Sequence, residues 1–169
     1  MIYLAVALLA LVALPFMWPH RWLVRDGQKY LLRWPLLGGD GLKRAPWFLG
    51  REGTNIYIHL IVLSDGPAVH SHPWSARSRI LLGRYRDTRQ LRLRGGEWTE
   101  PYSVEYGPGA TNFLGAGVFH TLQVMTPFVL TICTTEAKHG KGWAFKIGDK
   151  VVNASGRGAA AYDEAHKDA

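Results

Sequence analysis

The sequence predicts an all-β sandwich or barrel carried behind one N-terminal transmembrane helix. Three observations lead there. The first 18 residues, MIYLAVALLALVALPFMW, contain no charged side chain. From residue 55 onward, short stretches rich in β-branched and aromatic residues recur, divided by Gly, Pro and Asp. No long helical period follows residue 20.

As a helix, residues 1–18 would reach roughly 27 Å, enough to cross a hydrocarbon core. Pro15 falls in the last turn, and Trp18 and Trp22 suit a membrane interface. A cleaved signal peptide needs a basic segment before such a run and a small-x-small site after it, and neither is present. Residues 1–19 are therefore expected to form a single-pass anchor. Arg21, Arg25, Lys29 and Arg33 all follow it, which puts the N-terminus outside and the folded domain in the cytoplasm. Residues 20–46, rich in Arg, Trp, Gly and Pro, read as a basic membrane-proximal connector. The formal charge of +7 suits an anionic membrane lipid surface or an acidic partner, such as a larger membrane protein complex. No recognition-helix or RNP-like pattern supports nucleic acid. Cys133 is the single cysteine, so an intrachain disulfide framework and a cysteine-rich zinc site are both excluded.

The β-domain is expected over residues 47–148. NIYIHLIVL (55–63), SRILLGRY (78–85) and RQLRLR (89–94) read as strands, the last with Leu91 and Leu93 alternating with arginines. Gly95-Gly96 signals a hairpin turn to EWTE. SVEY, TNFL, HTLQVM, FVLTICTT and WAFKI continue the series. Residues 149–169 have little to bury and are expected to be a flexible tail.

Within this pattern, His70-Ser-His72 places two imidazoles on one face of an extended segment, where they can converge on one ion. Seven histidines in such a chain would produce an H-x-H by chance roughly once in three or four sequences, so the surroundings must decide. His120 is the candidate third ligand. It shares a strand face with Leu122 and Val124, which marks that face as the inner one.

These segments resemble the two motifs of the cupin superfamily. His70, His72 and Gly83 match the first motif, with Ala76 at the place of its glutamate. Gly115-Ala-Gly117-Val-Phe-His120 looks like the second, with Gly115 for its proline and Val124 for its asparagine. Residues 30–147 look like a group of uncharacterised bacterial and phage cupin-like proteins with an H-x-H-P-W segment. The resemblance implies a double-stranded β-helix (jelly-roll) barrel and a three-His metal site at His70, His72 and His120. Imidazole ligands suit a divalent transition metal, Fe(II) first, with Zn and Ni also suited, and loss of the carboxylate disfavours manganese. A degenerate scaffold barrel would hold none.

Among the arginines from Arg77 to Arg94, Arg77 and Arg79 are the candidate clamps for a small anionic ligand, because they closely follow His72. The rest read as a solvated face. His59 is expected to be packed or to support the site, Trp74 to wall it, His139 to lie in a loop and Cys133 to act as a small buried hydrophobe. Two functions follow: a membrane-anchored non-haem iron dioxygenase acting on a small anionic substrate, or a non-catalytic accessory subunit of a larger membrane complex.

Overall fold

In the computed structural model, residues 20–25, 27–37, 54–65, 69–136 and 142–154 are described, and all their regular structure is β-strand. The strands are β1 (Arg21–Arg25), β2 (Gln28–Leu37), β3 (Asn55–Ile61), β4 (Val69–Ser71), β5 (Ala76–Leu82) and β6 (Tyr85–Gln90). They continue as β7 (Tyr102–Tyr106), β8 (Thr111–Leu114), β9 (Phe119–Val124), β10 (Val129–Thr135), β11 (Trp143–Ile147) and β12 (Lys150–Ala154). One sheet has the order β1-β2-β3-β10-β5-β8 and the other β12-β11-β4-β9-β6-β7. Neighbours pair antiparallel, and from β3 to β6 the chain crosses to the opposite sheet at every step, which is jelly-roll topology.

Strand parity sorts the side chains. Along β3, Tyr57, His59 and Ile61 are buried, and along β10 so are Val129, Thr131, Cys133 and Thr135. Leu31, Ile61, Ile80, Tyr85 and Val129 form the main core, with Leu23, Leu122 and Val124 packed on it. Each such apolar side chain contributes roughly 1.5–3 kcal/mol when fully buried. Along β9 the inner face runs from Val124 and Leu122 to His120, so the apolar core is the floor of the region that holds the histidines.

Several sequence expectations need correction. The 20–46 stretch is not merely a connector, because β1 and β2 extend the first sheet and bury Leu31 and Leu32. Leu31, Leu32 and Trp34 are buried on both faces of β2, so no alternation marks it in the sequence. The expected strand 78–85 breaks after Leu82, where Gly83 turns the chain to the other sheet at a φ of 79°. Leu91 and Leu93 lie beyond β6 and are 40% and 49% exposed, so RQLRLR is not a half-buried strand throughout. The turn at Gly95-Gly96 is present, with the Leu93 N–H donating to the Glu97 carbonyl. The tail expected from residue 149 includes β12, which pairs with β11 and buries Ala154. The proposed anchor (1–19), His139 and residues 155–169 lie outside the described residues. Among the described residues, no helix is long and apolar enough to cross a membrane.

Gly83 is the most constrained corner. A Cβ there would lie 2.1 Å from the Phe128 carbonyl oxygen and 2.8 Å from Thr126 Oγ1. Gly117 has a similar φ of 78° but open space around it. Gly83→Ala should therefore cost about 2–4 kcal/mol, combining left-handed strain with a backbone clash, against about 1 kcal/mol for Gly117→Ala. Denaturant midpoints of the two variants check the difference; equal losses would remove the clash from the explanation.

Candidate metal centre

β4 is only three residues long, yet it sits between β11 and β9, and its His70 is in register with both Phe145 and His120. His72 follows two residues later on the same face. The three rings form a near-equilateral group, with centroid separations of 5.0, 4.9 and 5.1 Å. Each offers a nitrogen within 4.8 Å of the others, and His72 Nε2 lies 3.0 Å from His120 Nε2. The sequence-predicted trio is thus brought together.

The proton positions follow from Asp87, which stands on β6 with no exposure to water. Its Oδ1 lies 3.0 Å from His120 Nδ1. Its Oδ2 accepts from Arg89 Nε at 2.9 Å and from Asn112 Nδ2 at 3.0 Å. Burial alone would raise the Asp87 pKa. The His120 hydrogen bond and the Arg89 guanidinium outweigh it and hold the carboxyl below its ordinary value. An ionised carboxylate only accepts, so His120 Nδ1 carries a proton, and in the neutral ring the Nε2 presents a lone pair to His72. Arg89 also donates to Asn112 Oδ1, and the Tyr85 side chain hydrogen-bonds Asn112, so the network ties β6 to β8 in the opposite sheet.

This arrangement fits a cation. Two nitrogens bound cis to one ion at about 2.1 Å are roughly 3.0–3.4 Å apart, which matches the His72–His120 separation. A hydrogen-bonded carboxylate behind a histidine is the usual support that orients a metal ligand. Burial, then the neighbouring His70 and His120, push the His72 pKa well below its ordinary value, so its ring is neutral with a lone pair available. Its Nδ1 is buried and has no partner, so the only side-chain hydrogen bond of the ring is the Nε2 contact with His120 at 3.0 Å.

The histidines line a cavity of about 160 Å³ between the sheets. Trp143 covers His72 at 4.4 Å between ring centroids and meets Trp74 edge-on at 5.5 Å, so Trp74 walls the site as its position predicted. Ala76 and Ser78 line the cavity. Their neighbours Arg77 and Arg79 therefore point outward, Arg77 over the Phe113 ring and Arg79 donating to Thr111 Oγ1 at 3.1 Å. The expected anion clamps do not reach the site. Cys133 is buried and its thiol pKa is raised by that burial, in keeping with a small hydrophobe. His59 lines the cavity and accepts from Arg33 Nε at 3.0 Å, which makes it a supporting group. Sequence reasoning missed Asp87, Asn112 and Arg33. The one signal for Asp87 was its parity, since it shares a strand face with Tyr85 and Arg89.

This two-sheet jelly roll, with His70 on β4, His72 just beyond it and His120 on β9, has the cupin fold, as the motif resemblance implied. No protein-family model matches the chain, and no curated protein does. Among solved structures the chain is similar to the DMSP lyase DddQ from Ruegeria pomeroyi DSS-3, at 17% identity and a TM-score of 0.52, over 79% of this chain and 64% of that one. It is also similar to FeII HppE at 18% identity and a TM-score of 0.49, over 72% and 57%. An oxalate oxidase in complex with the substrate analogue glycolate aligns at 16% identity and a TM-score of 0.43, over 55% and 46%. The chain spans less than two thirds of the length of each. At this identity the likeness to the DMSP lyase shows the fold alone.

Two measurements probe the supporting groups. Asp87→Asn should lower metal affinity about 10–100-fold, because the hydrogen bond orienting His120 weakens. A titration with a competing chelator reads this, and unchanged affinity would take Asp87 out of the site. The second concerns His59, whose pKa is pushed well below its ordinary value by burial and then by Arg33. Folded His59 stays neutral while the unfolded chain takes up a proton below about pH 6.5, so stability falls as pH drops through that range. In urea titrations from pH 7.5 to 5, His59→Gln should lose stability less steeply than wild type, the difference approaching about 1.4 kcal/mol per pH unit below pH 6.

Proposed function

We propose that the protein is a metal-dependent enzyme whose centre is His70, His72 and His120, holding Fe(II), with a small anionic substrate taken into the cavity beside it. The single observation that carries this is the Asp87–His120 hydrogen bond, which commits Nδ1 as a donor and aims the Nε2 lone pair at His72, 3.0 Å away. A bound iron would supply O₂ activation. In a dioxygenase both oxygen atoms enter the product, so no external reductant is needed.

The chain's own residues do the rest. The three imidazoles bind as neutral donors, so a divalent ion keeps its full charge and favours an anionic partner. Trp74 and Trp143 screen His72 from bulk water, which strengthens electrostatic attraction inside. The apolar floor around Ile61 and Leu122 limits the substrate to a small molecule, the cavity being well below the roughly 300–1,000 Å³ of drug-sized sites. We further place the domain at the cytoplasmic face of a membrane. Support for that is the uncharged run 1–18 and the basic residues after it.

The test is the metal content of the full chain, purified without chelators, for wild type and the His70→Ala, His72→Ala and His120→Ala variants. About one iron per wild-type chain is expected, lost in each variant while thermal unfolding remains cooperative. No metal in the wild type would leave the barrel as a scaffold for partners. Metal retained in His120→Ala would overturn the trio. Ala76→Glu should shift preference toward manganese and weaken azide binding, because the new carboxylate would enter the cavity and offset the ion's charge.

A further inference from the structure

Arg33 lies in the sheet opposite the histidines, on β2, in register with His59 of β3. It lines the same cavity as His70, His72 and His120. Two contacts fix the guanidinium. Its Nε donates to His59 Nε2 at 3.0 Å, and its central carbon sits 4.5 Å from the Tyr57 ring centroid. Tyr57 and His59 are themselves stacked, 5.5 Å between centroids, so the platform under the arginine is rigid.

These contacts occupy one N–H and one face of the guanidinium. Neither neutralises its charge, since His59 is held neutral by its surroundings and Tyr57 offers only a π face. Among the described residues, no carboxylate pairs with Arg33. Asp65, the carboxylate lining the same cavity, forms no ion pair with Arg33 and accepts instead from the Leu122 N–H at 2.8 Å, so this half-buried cation lacks a contacting counter-charge. Its two terminal nitrogens present parallel donors, the geometry that takes a carboxylate bidentately.

We propose that Arg33 is the anion-binding residue of the cavity and that its ligand is a small carboxylate, bound by the terminal nitrogens with its other end directed at the histidine trio. The second clause rests on the metal-centre reading, whereas the carboxylate site itself does not. Arg33 thus takes the role that the sequence pointed to Arg77 and Arg79 to fill. His59 and Tyr57 are positioning residues, which set the angle of the fork without touching the ligand.

The experiment titrates acetate and propionate, with methylammonium as a cationic control, into the full chain in metal-free and iron-loaded forms. Fluorescence of Trp74 and Trp143 in the cavity wall and calorimetry report binding. Saturable carboxylate binding is expected in both forms, tighter with iron, and methylammonium should not bind. Arg33→Gln should weaken carboxylate binding at least tenfold with metal content and melting temperature kept. Arg33→Lys should recover only part of the affinity, because an ammonium keeps the charge and loses the fork. Equal carboxylate affinity in wild type and Arg33→Gln would overturn the proposal, as would comparable binding of methylammonium. A wild type that binds carboxylate through Arg33 yet holds no iron would overturn the metal-centre reading and leave the carboxylate site standing. Should Arg33→Gln fail to fold, Arg33→Lys with the same ligands decides, and unchanged affinity there counts against the bidentate fork.

Discussion

A carboxylate withdrawn from water inside a barrel must be fully paired, and Asp87 is the point on which the site depends. Its two oxygens receive His120, Arg89 and Asn112, so its charge is matched and its acceptor sites are used. Removing one partner of such a buried group typically costs about 3–5 kcal/mol, because an uncompensated charge is left behind. The arrangement therefore resists change, and His120 cannot turn or switch tautomer without breaking it. Asn112 comes from β8 in the other sheet, so the same network that orients a histidine also ties the sheets together beside the cavity. Structure and site share one set of bonds.

The jelly-roll path explains how residues 48 or more positions apart meet. β4 and β9 become neighbours only because the chain alternates between sheets and returns beside its earlier strand. β4 contributes a single register pair to β9, His70 with His120. The rest of that edge of β9 is covered by the turn after β3, where Asp65 Oδ2 accepts from the Leu122 N–H and Ser64 Oγ from the Val124 N–H. A short strand next to a capped edge leaves room for His72 to curve inward just past the last paired residue.

Much of this was legible in the sequence because strand parity is a strict rule. His70 and His72 share a face, and His120 shares one with Leu122 and Val124. Where parity was not applied, the reading failed. Ala76, at the motif's inward position, already implied that Arg77 and Arg79 face out, yet closeness to His72 in the chain made them look like clamps. Asp87 was hidden by its neighbours, since a single acid in a run of arginines reads as a surface counter-charge. β1 and β2 were hidden by composition, because Leu31, Leu32 and Trp34 are buried on both faces of β2 and leave no apolar–polar alternation to read. A sequence shows which residues can share a face; it does not show which opposing face completes them, and Arg33 opposite the trio is that kind of fact.

The charges around the cavity explain why the fold can keep an arginine there. The Asp87–Arg89 pair is neutral as a unit, and a histidine carries no negative charge in any of its ordinary protonation states, so neither compensates Arg33. What makes Arg33 tolerable without a ligand is the lone pair of His59 and the π face of Tyr57, each a weak partner for a cation. Weak partners leave a binding group ready, whereas a carboxylate at the same distance would neutralise it and close the site. A divalent ion at the histidines would add two positive charges to a cavity already holding one. An anion entering between them would then be attracted from both walls, and the apolar floor would raise the strength of that attraction by excluding water. The same low polarity that makes Asp87 costly to disturb thus gives the opposite side of the cavity its preference for negative charge.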